Sequence, residues 1–149
     1  MIKIVSILLF SSIYLFGASF WTLTGLEKAN VYVKNQVPDL KQSTLKSIKK
    51  KMLLMLKKEG IKTNQQDSPT LMIALFDIKD NGKHYVYTRL ALAEEVQTFR
   101  KNKDDTFALT YLNYDFIDTE NNELDSDVLE SVDFLLLEFA EQYKDDKDD

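Results

Sequence analysis

The stretch Thr70–Leu92, TLMIALFDIKDNGKHYVYTRLAL, decides the fold. At its centre Asn81-Gly82 is the dipeptide that tolerates the positive φ angles of a tight type I′ turn, and extended apolar segments flank it. The stretch therefore reads as two antiparallel strands joined by a two-residue loop. Such a loop sets the register. Leu71 faces Leu92, Ile73 faces Leu90 and Leu75 faces Thr88 on one side; Ala74 faces Arg89, Phe76 faces Tyr87 and Ile78 faces Tyr85 on the other. The first side is aliphatic and uncharged, which suits a core under helices. The second is aromatic with one arginine, which suits an outward face.

Upstream, residues 29–34 alternate apolar and polar as a half-buried strand does. Pro38 and Asp39 break that strand, and Asp39 with Gln42 three residues on has the form of a capping box. Leu45, Ile48, Met52, Met55 and Leu56 recur at helical spacing, and Gly60 stops the helix. Ser68-Pro69 restarts extended chain. Downstream, the return strand runs from Lys83 to about Phe99, Arg100 to Asp105 make a polar turn, and Thr106 to Asp118 form a fourth strand. Asn121 to Asp127 are turn-prone. Asp127 and Glu130 are the expected cap of a last helix, striped by Leu129, Val132, Leu135, Leu136, Phe139 and Tyr143. The order βαβββα is that of an α+β domain: a four-stranded mixed sheet with a parallel first pair and two helices packed on one face. That domain covers residues 29–143. Residues 144–149, Lys-Asp-Asp-Lys-Asp-Asp, form an acidic tail expected to fray.

The chain has 149 residues, 44% of them apolar, with four Gly and two Pro, so it can bury a core and is neither collagen-like nor low-complexity. It has no cysteine, which removes disulfides, thiolate metal sites and thiol nucleophiles. Residues 1–19 read as a signal peptide: Lys3 is the basic region, Ile4 to Phe16 the apolar run and Gly17-Ala18-Ser19 the small-residue cleavage site. Residues 20–28 are then an N-terminal segment. A cysteine-free exported chain suits a bacterial periplasm or secretion. The alternative is an inner-membrane anchor through residues 1–26, with Phe20, Trp21, Leu23 and Leu26 prolonging an uncleaved segment.

Few constellations nominate chemistry. Asp118, Glu120, Asn122 and Ser126 have the rhythm of a calcium loop, but Glu123 stands at the glycine position and Leu129 at the twelfth, so no metal site is expected. His84 lies near Asp77, Asp80 and Lys83 at a hairpin end, which reads as a convex, wet surface position. Its use as an acid/base catalyst is the least favoured reading. Glu94 and Glu95 point to opposite faces unless a bulge re-aims them. No glycine-rich phosphate loop or nucleophile elbow is present, and no catalytic residue or cofactor is expected. The first helix and its flanks carry Lys41, Lys46, Lys49, Lys50, Lys51, Lys57, Lys58 and Lys62, and the last helix carries Asp127, Glu130, Asp133, Glu138 and Glu141. Side-by-side packing is expected to neutralise the two and to bury Leu53, Leu54, Phe134 and Leu137. That removes the need for nucleic acid, and leaves membrane contact only to a retained leader.

The helix from Leu45 to Leu56 closing with Gly60-Ile61, the restart Asp67-Ser68-Pro69-Thr70-Leu71 and the terminal helix together resemble small bacterial envelope domains such as the TolB N-terminal domain and LptE-like proteins. The resemblance rests on element order over most of the chain after the leader, and departs from those families in lacking a lipobox cysteine and a following propeller. It implies accessory or scaffolding work in an envelope assembly. The expected function is thus a non-enzymatic domain that binds an envelope protein, or a second copy of itself, through Phe76, Ile78, Tyr85, Tyr87 and Arg89. The alternative is a small-ligand or lipid carrier with a pocket between helices and sheet.

Overall fold

A computed structural model describes residues 22–148. The expected leader, with Phe20 and Trp21, lies outside the described residues. The elements follow the expected order: β1 (Asn30–Gln36), α1 (Gln42–Lys58), β2 (Thr70–Asp80), β3 (Lys83–Gln97), β4 (Asp105–Glu120) and α2 (Leu124–Asp148). They form one sheet ordered β1-β2-β3-β4, in which β1 runs parallel to β2 and the other pairs are antiparallel. Asn81 and Gly82 both have positive φ, 48° and 82°, as a type I′ turn requires. The turn holds the hairpin in the register read from sequence, from Asp80 opposite Lys83 to Leu71 opposite Leu92.

Both helices cover one face. Ile48, Met52 and Leu56 of α1 and Val128, Val132, Leu135 and Phe139 of α2 share a fully buried layer with Leu71, Ile73, Leu75, Val86 and Leu90 of the sheet. Each such side chain contributes about 1.5–3 kcal/mol by leaving water. Tyr111 of β4 closes the layer edge-on against Phe139, with ring centroids 5.1 Å apart. These side chains fill the centre of the space between helices and sheet, and a hollow lined by Asp115, Ile117, Asp127, Glu130, Ser131 and Phe134 opens between β4 and the first half of α2. The helices run parallel, tied at their starts by Lys41–Asp125, midway by Lys51–Asp133 and at their ends by Lys144–Glu59. No helix among the described residues is long and apolar enough to cross a membrane.

Several details differ from the sequence reading. Asp39 does not cap α1. The N-cap is Lys41, which makes no side-chain cap bond, and Asp125 of α2 takes over: it accepts from the Lys41 amide at 3.1 Å and the Thr44 hydroxyl at 2.5 Å. Helix α2 begins at Leu124, before Asp127, because Asp127 accepts from Thr119 at the end of β4. The acidic end does not fray up to Asp148. Asp146 accepts from the Leu23 amide at 2.7 Å, and Tyr143 donates from its hydroxyl to the Leu26 carbonyl at 3.2 Å. Leu23 and Leu26, the side chains expected to extend a membrane anchor, are buried in the core instead.

The helices also neutralise each other less than expected. Among the described residues Lys41 and Lys51 pair with α2, whereas Lys46, Lys49, Lys50, Lys57, Lys58 and Lys62 make no ion pair. Leu54, Phe134 and Leu137 stay exposed, because α1 and α2 meet along a narrow seam that does not reach round to them.

Candidate open-face binding site

A side chain on a strand alternates between faces, so the register decides which residues share the side away from the helices. Two strands of that face follow from the hairpin, and β1 and β4 complete it. One row runs Gln36, Phe76, Tyr87, Phe116; the next Lys34, Ala74, Arg89, Tyr114; a third Tyr32, Met72, Ala91, Leu112. Ile78 and Tyr85 end the face beside Asp118.

All five residues nominated from sequence lie here together. Tyr87 is the hub. Its ring stacks on Phe76 at 5.9 Å and lies 4.8 Å from Phe116 and 5.7 Å from Tyr114. Tyr114 meets Phe116 edge-on at 5.9 Å. These geometries are the offset and tilted ones that aromatic quadrupoles favour. Tyr87 and Phe76 are half-buried by their neighbours, while Ile78 is 73% and Phe116 69% exposed.

Two cations share the Phe76 ring: Lys34 Nζ at 5.7 Å and Arg89 Cζ at 5.6 Å from its centroid. Arg89 stands opposite Ala74, whose small side chain leaves room for a guanidinium lying across the face. Neither Lys34 nor Arg89 has an acidic partner among the described residues, and Arg89 Nε is buried without a hydrogen bond. The carboxylate of Asp118 on this face already faces Lys83 at 3.6 Å. The centre of the face is therefore apolar and uncompensated in positive charge.

Tyr32, Lys34, Tyr114 and Phe116 were missed from the sequence. For β4 the signal was present: Leu112, Tyr114 and Phe116 alternate with Asn113 and Asp115, so the more apolar set of this strand is the outward one. What hid it was the bulge between Leu92 and Ala93, which shifts the β3–β4 register by one residue. Thr110 is the extra residue, and its hydroxyl donates to Glu94 at 2.5 Å.

The edge of β4 is blunted at two amides and one carbonyl. Tyr114 donates its amide to the Asn113 side chain and Phe116 to the Asp115 side chain, each at 2.9 Å. The Thr110 carbonyl accepts from the Thr22 amide at 3.0 Å. An edge whose polar groups are satisfied in this way is a poor template for another strand.

His84 overturns its expected surface position. It lies on the helix-side face of β3, and the turn at Asn121 and the loop at Asp39 fold over the hairpin end, so it is fully buried. Nδ1 meets Asp77 Oδ2 at 2.6 Å and Nε2 meets Asn121 Oδ1 at 2.5 Å. Burial alone would lower its pKa, but the hydrogen bonds with Asn121 and Asp77 and the Asp77 charge outweigh burial and the nearby Lys79, and the group is raised above the ordinary imidazole value. With both ring nitrogens engaged by oxygens, the imidazole links β2, β3 and the turn at Asn121 and leaves no ring nitrogen free for a substrate.

Among the described residues no three His, Cys, Asp or Glu side chains converge on a metal-binding point. Comparison of the chain with protein-family models, with curated proteins and with solved structures finds no match.

Proposed function

We propose that this chain is an exported, non-enzymatic accessory domain of a bacterial envelope, and that it binds another protein through the open face of its sheet. The observation that carries the reading is the cluster of Phe76, Tyr87, Tyr114 and Phe116, joined through the Tyr87 ring on the side that no described residue covers, with Lys34 and Arg89 over the Phe76 ring and without an acidic partner among the described residues. A monomer seldom keeps a contiguous apolar patch of this kind in water. Aromatic side chains beside an arginine are also the residues that dominate protein interfaces energetically. The blunted edge of β4 favours docking on the face over strand addition.

The combined Tyr87→Ser and Arg89→Glu variant tests this. Both positions sit outside the buried layer, so the variant should stay folded, with its thermal unfolding midpoint lowered only by the loss of the Tyr87 ring contacts. Cross-linking in the native envelope followed by mass spectrometry should recover a defined partner with the wild-type chain and lose it with the variant. Sedimentation of the purified chain reads self-association by the same pair. A partner retained unchanged by the variant would exclude this face.

A further inference from the structure

We propose that the outer face of α1 docks on a lipid bilayer that carries anionic headgroups. Helix α1 holds six lysines and no carboxylate in 17 residues. At 100° per residue, Lys46, Lys50 and Lys57 fall on the side opposite Ile48, Met52 and Leu56, with Lys49 and Leu53 on its flanks, so burial of the inner stripe turns the outer one to solvent. Beside that stripe Leu53, Leu54 and Ile61 line a shallow hollow rimmed by Lys50, Lys57 and Lys62. Leu54 is 55% exposed. None of these lysines is spent on an ion pair among the described residues.

The combination selects the partner. Phosphates of nucleic acid would use the lysines but gain nothing from exposed leucines. A bilayer surface takes both, since lysine heads reach the headgroups while leucines enter the acyl boundary. On the proposed export, the apolar run Ile4 to Phe16 would bring the same chain to a membrane. The net charge of −5 does not forbid this contact. Charges more than about 10 Å away are largely screened at ~0.1 M salt, whereas the stripe itself lies against the headgroups. Docking through α1 also leaves the aromatic sheet face, on the far side of the layer, turned away from the lipid. The proposal does not depend on a protein partner there, nor on the leader being retained.

The test is co-sedimentation of the full chain with vesicles of phosphatidylcholine alone or mixed with phosphatidylglycerol. The apolar leader is common to every variant and so cannot produce a difference between them. The wild type should bind the mixed vesicles more strongly, and the excess should disappear as salt is raised. Lys46→Glu, Lys50→Glu and Lys57→Glu together should cut the phosphatidylglycerol-dependent partition at least about tenfold. Leu53→Ser with Leu54→Ser should weaken binding while keeping its salt dependence. Circular dichroism confirms that each variant is folded. Equal partition into both vesicle types, an unchanged triple-lysine variant, or binding to duplex DNA as tight as to the mixed vesicles would overturn the proposal.

Discussion

His84 is one histidine in 149 residues, and its burial makes it a pH-dependent element of stability. Its folded pKa is raised, against about 6.5 in an unfolded chain. The protonated ring therefore stabilises the fold fully below about pH 6.5, and that contribution is lost as pH climbs through the raised folded value. Asp77 and Lys79 from β2, Asp39 from the loop before α1 and the Asn121 amide are the groups that face it. Unfolding midpoints measured from slightly acid to mildly alkaline pH should fall, and His84→Asn should flatten that fall. Because the substitution leaves the Asp77 carboxylate buried without its cation, it should also cost about 3 kcal/mol near neutrality. A variant as stable as the wild type would mean that the ring is neutral and merely fills space. Asp125 has the opposite sign. Burial would raise its pKa, but the Thr44 and Lys41 hydrogen bonds and the Lys41 charge hold it below the usual carboxylate value. It stabilises the fold above about pH 4 and ceases to do so as pH falls through its lowered folded pKa. Asp125→Asn should remove that part of the acid transition.

Helix α1 has no cap of its own, so its first turn depends on a residue more than 80 positions away in α2. Asp125→Ala should cost about 1 kcal/mol, as loss of a local N-cap does, read as a shift in denaturant midpoint. The other end of the helix pair depends on the chain terminus in the same way. Deleting residues 144–149 removes the Asp146 acceptor of the Leu23 amide and the Lys144–Glu59 tie, and should cost about 2 kcal/mol. A frayed tail would cost nothing. These cases show where sequence reading runs out. The β2–β3 hairpin was legible to the residue because Asn81-Gly82 admits only one register, and the helices were legible from their stripes. Asp39, Asp127 and Asp146 were misread because each is used by a group outside its own local pattern: Lys79, Thr119 and Leu23. Local patterns name a residue's options; tertiary packing chooses among them. Half of the aromatic face was visible for the same reason, since its β2 and β3 members follow from a turn, whereas Tyr114 and Phe116 depend on a bulge after a seven-residue loop.

The whole molecule has three unlike sides. The helices cover one face of the sheet and present a basic outer stripe, the other face is aromatic and uncovered by any described residue, and the edge at β4 is blunted at the Tyr114 and Phe116 amides by its own side chains. An open face beside an open edge would invite indefinite growth, with one copy adding its strand to the next while the faces stack. Asn113 and Asp115 separate these two properties. They lie at positions that face the helices, yet each engages the following backbone amide, so the strand end keeps its extended form while offering no free donor at Tyr114 or Phe116. If this is why polar residues stand there, Asn113→Val with Asp115→Val should leave the fold intact, since β-branched residues suit strands. The cost should appear between molecules. The double variant should show concentration-dependent growth in sedimentation and thioflavin fluorescence under conditions that leave the wild type unchanged. Adding Phe116→Ser should slow stacking of faces without restoring the blunted edge. A double variant that stays as dispersed as the wild type would show that the Thr22 contact at Thr110 closes the edge by itself.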